Sequence, residues 1–330
     1  MAGLALTSKE QNLLFDGAAA YLDVIRRKKL LDLTIKNEKI IKDQLALQDE
    51  RVEIGSGVGV DVLFAKARLQ IAKDRRLVFE GEFLNSLSQY HRVFGGAAEV
   101  DRMETPNIVF EKLPDSVDLA HSIALEKNPT VKDSLKTVEL TREGKRLART
   151  PFYPRIDLIG IGNIETDYDG VDGLRRDVSI MLRVSWDIFT GLSTPAESRA
   201  AILRFEASIN DRDDVRRETR EDVQLAWDRL ATARKRSELL KNAVNIAAEV
   251  HRARLKLGEV GKETLINILD AQSEVFTAEI AATDAEYDSF IAVYRLLLAI
   301  GQLQPNVFAA EKQLSFYPVI DREIFPLPNK

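Results

Sequence analysis

Long stretches of this 330-residue chain carry apolar residues at the spacing of an α-helix. Residues 7–54 contain no proline and only one glycine. Within them Leu33, Ile40 and Leu47 form a stripe with heptad spacing, while lysines and glutamates occupy other positions. This pattern predicts one long helix.

Glycines mark the joints between the long predicted helices. The segment 55–59, GSGVG, separates the first helix from a return helix that ends near Phe94. Gly258 and Gly261 likewise separate a very long helix from the final one. Glycine suits such joints because it adopts backbone conformations that other residues avoid. We do not interpret 55–59 as a nucleotide-binding loop, because a helix precedes it where a dinucleotide fingerprint needs a strand.

The period changes to two between Val178 and Ile188, where apolar residues alternate with mostly polar ones. The alternation predicts a strand with one apolar face and one largely polar face, and residues 156–168 form the predicted partner strand. Such a hairpin suits either a membrane β-barrel or a soluble sheet packed on a helix, and for a lone hairpin the soluble alternative is favoured. The apolar positions are Val178, Ile180, Leu182, Val184, Trp186 and Ile188, and between them stand Ser179, Met181, Arg183, Ser185 and Asp187.

Two segments of the chain repeat at a fixed offset of 206 residues. Residues 21–95 and 227–301 align without a gap, and glycines and apolar positions keep register although identity is sparse. A period this long indicates a duplicated half rather than a solenoid repeat. The matched residues are Gly55, Leu63, Ala65 and Gly95 in the first copy, and Gly261, Leu269, Ala271 and Gly301 in the second.

Composition excludes several classes of function. The chain has no cysteine, so thiol catalysis, thiolate metal sites and disulfides are excluded. A net charge of -5 gives no general attraction to nucleic acid, and the basic residues 26–29 are interpreted as a solvated helix face. His91, His121 and His251 lie far apart, and no nucleophile–base set is visible, so we predict no catalytic residue, metal site, cofactor or enzyme activity. No apolar run reaches the roughly 18 residues of a membrane-spanning helix.

Several motifs resemble the TolC-like outer-membrane efflux family, and in particular the branch that serves type I secretion. The strongest lies in the final helix, where G-x-x-T-L-x-x-I-L-D-A-Q begins at Gly261 and Y-R-L-L-x-A-x-G-x-L begins at Tyr294. Shorter matches are AAAYLDV at 18–24, LPDSV at 113–117 and WDIFTG at 186–191. The resemblance implies a mainly α fold with a β-hairpin: long antiparallel helical hairpins form an α-helical tunnel, and the strands contribute to a trimeric transmembrane β-barrel.

The resemblance also implies a division of the chain. We expect a first-half helical hairpin at 1–100, an equatorial linker and helix at 101–150, a membrane β-hairpin at 151–192, a second-half long helical hairpin at 193–303 and an irregular C-terminal tail at 304–330. The 206-residue offset would place the β-hairpin and upstream helix of the first half in roughly 90 residues before Met1. We therefore expect an N-terminally truncated chain, which would also explain why MAGLALTSKEQ lacks the features of a signal peptide.

The function implied by the resemblance is that of a passive duct. The chain would be the outer-membrane channel component of a tripartite efflux or type I secretion system, located in the cell outer membrane with its helices in the periplasm. Its partners would be two further copies in a homotrimer, a periplasmic adaptor (membrane fusion) protein, an inner-membrane pump and outer-membrane lipid, but no nucleic acid. The alternative is a soluble coiled-coil scaffold without a pore.

Candidate site residues follow from the family's motif positions. Glu263 stands where a basic gating residue is common in the family, and Asn267 stands where an acid is common, so the lock on the aperture is expected to differ. We expect Glu263 to add to the repulsion within a ring of acids. The predicted pore or aperture residues are Asp61, Glu263, Asn267 and Asp270. The predicted adaptor-docking turns contain Gly55, Gly57, Gly59, Gly258 and Gly261. The predicted lipid-facing residues are Val178, Ile180, Leu182, Val184 and Trp186, with Ser179, Arg183 and Ser185 facing a lumen.

Overall fold

The structure, a computed structural model, describes residues 2–55, 58–106, 113–166, 170, 172–305 and 307. It is mainly helical with one two-stranded antiparallel sheet, which confirms the predicted fold class. None of the described helices contains a stretch both long and apolar enough to cross a membrane. The helices are α1 (Ala2–Glu53), α2 (Gly59–Phe94), α3 (Val117–Lys127), α4 (Pro129–Leu147), α5 (Ser193–Glu259) and α6 (Leu265–Ala299), and the strands are β1 (Arg155–Thr166) and β2 (Leu174–Ser185).

The chain divides into two compact units. The hairpin unit comprises Thr130–Glu218 and the first few residues of the chain, so it contains the sheet, nearly all of α4 and the first part of α5. The helical unit comprises Ala5–Pro129 and the chain from Thr219 onwards, so it contains α2, α3, α6, most of α1 and the rest of α5.

In the hairpin unit, β1 and β2 pair residue by residue from Arg155 opposite Ser185 to Thr166 opposite Leu174. The structure starts β2 before Val178 and ends it at Ser185, so Trp186 and Ile188, which the sequence analysis includes in the strand, lie just beyond it. Continuing the register would place Trp186 opposite Pro154, which has no backbone N–H to donate, and this explains where the ladder stops.

The helices of the hairpin unit contact each other through side chains on α4 and α5. The hydroxyl oxygens of Thr141 and Ser208 lie 2.7 Å apart and share a hydrogen bond. The Lys145 ammonium lies 4.3 Å from the centre of the Phe205 ring, within the range of a cation–π interaction. These contacts hold the two helices side by side over the part of the chain next to the strands.

In the helical unit, the final helix supplies much of the core. Apolar residues at helical spacing face this core from α6, where Tyr287, Tyr294 and Leu297 are buried and Phe290 is partly buried against them. Burial of such large apolar side chains contributes about 2–3 kcal/mol each. The main cluster also contains Phe15, Leu22, Ile25, Ala120, Val223, Leu230, Val293, Leu296, Ile300 and Leu303.

Ion pairs connect α1 to its neighbours. Arg26 binds Asp284 at 2.7 Å and Asp288 at 3.1 Å, and its side chain is only 17% exposed. Arg76 on α2 binds Glu38 on α1 at 2.7 Å. The interpretation of residues 26–29 as a solvated face is therefore wrong for Arg26, because acids 258 and 262 residues away in the sequence bury and pair it.

The internal repeat is confirmed in the helix boundaries. α1 and α5 end 206 residues apart, at Glu53 and Glu259, and α2 and α6 begin 206 residues apart. The matched glycines share the same left-handed backbone, with φ of 77° at Gly55 and 71° at Gly261. Gly95 and Gly301 both have φ of 72°. Equivalent positions of the two copies therefore make equivalent turns.

The two glycines at the ends of α2 and α6 provide a matched test of packing. A Cβ on Gly301 would lie 2.6 Å from the Asn128 Cα, whereas one on Gly95 would meet nothing within 4 Å. We predict that Gly95→Ala lowers the free energy of unfolding by about 1 kcal/mol, the cost of a left-handed alanine. Gly301→Ala should cost about 2 kcal/mol more, because the backbone of Asn128 must also move. Urea unfolding measures both, and equal losses would contradict the close approach.

Candidate functional site

The candidate site is the end of the helical unit where both helical hairpins turn. Backbone hydrogen bonds close the turns at Gly55 and Gly261. The Gly55 N–H donates to Val52 O at 3.0 Å, and the Gly261 N–H donates to Gly258 O at 3.2 Å. Gly59 is the first residue of α2, and Gly57 lies outside the described residues.

Gly258 lies near the end of α5, where its carbonyl oxygen accepts the hydrogen bond that closes the turn. It is the penultimate residue of α5, and a Cβ there would lie 2.5 Å from Ile268 Cδ1 on α6. An added Cβ at 258 would therefore displace the flexible end of the Ile268 side chain, whereas Gly261 supplies the positive φ of the turn.

The two turns lie at the same end because α2 and α6 pack together where they begin. Ala65 and Leu69 of α2 join Leu265 and Leu269 of α6 in one buried cluster, which also includes Ile41 and Ala72. Beside this cluster the Arg68 guanidinium binds the Asp270 carboxylate at 2.6 Å. The structure therefore brings the predicted aperture segments of both halves together.

Glu263 is engaged by its own turn. Its Oε1 accepts hydrogen bonds from the Asn267 side-chain amide at 2.6 Å and from the Thr264 backbone N–H at 3.0 Å. Thr264 caps α6 by accepting a hydrogen bond from the Asn267 N–H at 3.3 Å. The bond from Asn267, then the bond from Thr264 and the nearby Arg254 guanidinium, lower the pKa of the Glu263 carboxyl. Glu263, Thr264 and Asn267 thus form a hydrogen-bonded cluster at the start of α6, called the Glu263 cluster below.

Asp61 occupies a different environment from the two acids of the second half. It lies in the first turn of α2, where the helix dipole favours an acid, and its N–H donates to Val58 O at 3.0 Å. Val58, the equivalent of Thr264 in the repeat, provides no side-chain cap. Among the described residues Asp61 forms no ion pair, whereas Asp270 is paired with Arg68.

Sequence reasoning did not identify Arg68. Its guanidinium carbon also lies 5.1 Å from the centre of the Phe64 ring, so the same group contacts an aromatic and a carboxylate. Two signals were present in the sequence: Arg68 follows Asp61 by two helical turns, and its partner in the 206-residue repeat is an acid, Glu274.

The surface around both turns is apolar, which is unusual for residues facing water. Five large side chains here are between 61% and 74% exposed, and clustered apolar exposure of this kind marks an interaction surface. These residues are Ile54, Val58, Val60, Leu63 and Val260. In the part of the chain that the structure describes, no cluster of acidic or histidine side chains is arranged to hold a metal ion.

A second apolar surface lies on the hairpin. The register puts the side chains of even-numbered residues of both strands on one face, and eight large apolar side chains there are between 54% and 84% exposed. Arg176, opposite Ile164, is the one charged residue on this face. The opposite face carries Ser179, Arg183 and Ser185, and there Asp157 stands opposite Arg183. The eight residues are Ile156, Leu158, Ile164, Leu174, Val178, Ile180, Leu182 and Val184.

The chain can now be compared with known proteins. Residues 120–302 match the family model described as "Outer membrane efflux protein", and this match covers more than half of the chain. The chain belongs to the outer membrane efflux protein family. The matched segment contains the strands, the second helical hairpin and its joint, whereas α1 and α2 precede it.

The alignments with individual relatives cover most of this chain but only about two thirds of the relatives' own length. The outer membrane efflux protein BepC of Brucella suis is 26% identical over 90% of this chain. The alkaline protease secretion protein AprF of Pseudomonas aeruginosa is 24% identical, also over 90%. The chain spans 65% of the length of BepC and 63% of the length of AprF.

Solved structures support the same fold. The outer-membrane channel OprN superposes with a TM-score of 0.78 over 91% of this chain and 68% of its own, at 19% identity. The channel-forming protein CusC gives a TM-score of 0.79 over 91% of this chain and 70% of its own, at 15% identity. At these identities the likeness shows the fold alone.

The hydrogen bonds of the Glu263 cluster predict how the pKa of the Glu263 carboxyl responds to mutation. A carboxyl whose pKa is lower in the folded state than its usual 4.5 adds stability above that pH and loses it as the pH falls through the folded value. Asn267→Ala removes the largest cause, so we predict that the Glu263 pKa rises towards 4.5. Carbon-13 NMR titration of labelled glutamate carboxyls measures the shift. The control Asn245→Ala makes the same change on α5 and should leave the Glu263 pKa unchanged. An unchanged Glu263 pKa in the Asn267→Ala variant would contradict the role of Asn267 in the Glu263 cluster.

Proposed function

We propose that this chain is the channel subunit of a tripartite efflux or type I secretion system in the outer membrane. Residues 151–192 would supply the barrel wall, and 1–100 and 193–303 the wall of a helical tunnel. Residues 101–150 would link the halves, and 304–330 would form the tail. The family is one of channel proteins, not enzymes, and the proposed action is passive conduction.

The apolar face of the hairpin carries this proposal. A soluble sheet covers its apolar face, whereas here eight large apolar side chains stay exposed on one face of paired 12-residue strands. At about 3.3 Å per residue and a tilt near 45°, twelve residues span roughly 28 Å, close to the apolar band of a membrane barrel. Trp186 and Phe189, both exposed just after β2, suit the aromatic girdle at its edge.

A membrane hairpin needs further strands, because unpaired backbone groups are too costly in lipid. In this proposal other copies supply those strands in a homotrimer. Each copy also has unpartnered apolar residues on two helices: Leu77 and Leu84 on α2, and Leu239 and Ile246 on α5, are between 57% and 68% exposed. Packing α2 of one copy against α5 of the next would cover both stripes.

The turns would form the periplasmic end in this proposal. Their exposed apolar residues would meet the periplasmic adaptor, which is coupled to an inner-membrane pump, and Gly55, Gly59 and Gly261 would let its backbone approach closely. Asp61, Asn267 and Asp270 would line the aperture just inside. Because Asn267 and Thr264 hold the Glu263 carboxylate, Glu263 would also shape the turn.

The two faces of β2 test the membrane assignment. The chain has no cysteine, so Ile180→Cys and Arg183→Cys each give one site for a nitroxide label. In vesicles, we predict that oxygen, which concentrates in lipid, relaxes label 180 more strongly, and that a water-soluble nickel chelate relaxes label 183 more strongly. Leu182→Cys and Ser185→Cys provide a matched second pair. Equal access of both reagents to both faces would favour the soluble scaffold.

The repeat predicts where copies touch. Within the chain the Gln272 amide of α6 donates to Asn37 Oδ1 of α1 at 3.2 Å. In the 206-residue repeat, Gln272 corresponds to Lys66 on α2 and Asn37 corresponds to Ala243 on α5. In the proposed trimer, Lys66 of one copy would therefore lie close to Ala243 of the next copy. We predict that mixing Lys66→Cys chains with Ala243→Cys chains lets a short bis-maleimide join them, with the product seen by denaturing electrophoresis.

A matched control places the cysteine at the far end of the same helix. Arg92→Cys lies at the end of α2 away from the turn, so it should give little product with Ala243→Cys. If the two pairs crosslink equally well, or if neither does in membranes, the proposed packing of α2 on α5 is wrong.

A further inference from the structure

Arg68 is a basic residue beside the predicted aperture residues, but it is not one of them. It leaves α2 between Ala65 and Leu69, both buried against α6, so the backbone that carries it is fixed by packing. Its guanidinium binds Asp270 at 2.6 Å across the two helices and lies over the Phe64 ring. A guanidinium that is stacked and paired at once loses little freedom for each contact it makes.

The three carboxylates predicted for the aperture are therefore not equivalent. Glu263 is held by Asn267 and Thr264, with Arg254 nearby, on its own turn. Asp270 shares its charge with Arg68. Of the two aspartates, Asp61 forms no ion pair with a described residue, whereas Asp270 does. The free energy of a partly exposed ion pair is small, but the two opposite charges still cancel in the potential felt by a passing ion.

We propose that Arg68 determines the charge of the aperture by neutralising Asp270, which leaves Asp61 as the aspartate that attracts cations. This inference rests on the proposed channel function and deepens it. Three copies then carry three uncompensated aspartates instead of six, and the channel is only weakly cation-selective. A ring of charged side chains is the usual source of such selectivity.

The first test is electrical. In planar bilayers at about 0.1 M salt, Arg68→Gln should raise the cation-to-anion permeability ratio about two- to fivefold, because Asp270 becomes unbalanced. Asp270→Asn should lower it by a similar factor, and the double variant and Arg68→Lys should match the unmodified chain. At about 1 M salt the differences should shrink, since the screening length falls to about 3 Å. Arg92→Gln removes the same charge from the far end of α2 and should change nothing.

The second test measures the local potential without requiring conduction. Ile266 lies one turn before Asp270 and is partly exposed, so Ile266→Cys gives a single reactive thiol beside the ion pair. The rate ratio of a cationic to an anionic thiosulfonate should rise about two- to fivefold with Arg68→Gln, fall with Asp270→Asn and return in the double variant.

The two tests separate the possible failures. Thiol ratios that follow this pattern in a protein that does not conduct would support the charge assignment of Arg68 but contradict the channel function. A conducting protein in which Arg68→Gln changes neither ratio would keep the channel function and overturn the role of Arg68. Loss of selectivity in Asp270→Asn without any effect of Arg68→Gln would likewise overturn it, because Asp270 would then act unbalanced.

Discussion

The structure depends on how its backbone hydrogen bonds are completed at the edges of the hairpin. β1 and β2 satisfy each other along one side only, and in the described part of the chain no third strand pairs with their outer edges. In water such edges are solvated, but the exposed apolar face makes water a poor environment for this sheet. In lipid the edges must be closed by other strands. Association with further copies, as proposed above, would resolve both problems, and the exposed helical stripes would serve the same association.

The helices follow the same logic through duplication. The two helical hairpins have matching ends, matching left-handed glycines and turns at one end of the helical unit. The contact of α1 with α6 inside the chain combines apolar packing with ion pairs and hydrogen bonds, and the exposed stripes on α2 and α5 are apolar. In the proposed trimer these stripes meet between copies. The duplicated helical hairpin therefore supplies one interface inside the chain, between α1 and α6, and in the proposed trimer a second interface between copies, from α2 to α5.

Much of the fold was predictable from local pattern. Heptad stripes and glycines located the long helices and joints, and the alternation from Val178 located β2, because these features depend on neighbours in sequence. The ends of β2 were not predictable in this way, since the ladder follows its partner back to Leu174 and stops opposite Pro154.

The candidate site was predictable only in its position. The motif placed Asp61 and Asp270 near the turns, but the partner of Asp270 is 202 residues away in the chain, so only the packing of α2 on α6 brings the pair together. Similarly, Glu263 reads as a free acid until the start of α6 folds and brings the Asn267 amide to it. Arg26 reads as solvated until α6 packs against α1. Side-chain partners created by tertiary packing were thus the part that sequence reasoning missed.

The central claim is that copies of this chain associate to close the hairpin edges and cover the helical stripes. Native mass spectrometry of the protein released from lipid nanodiscs measures the number of copies directly. The account predicts three copies per particle, and a variant with charged residues at Leu77 and Leu239 should fall apart. A stable single copy in lipid would contradict the account, because its sheet edges would then be left open.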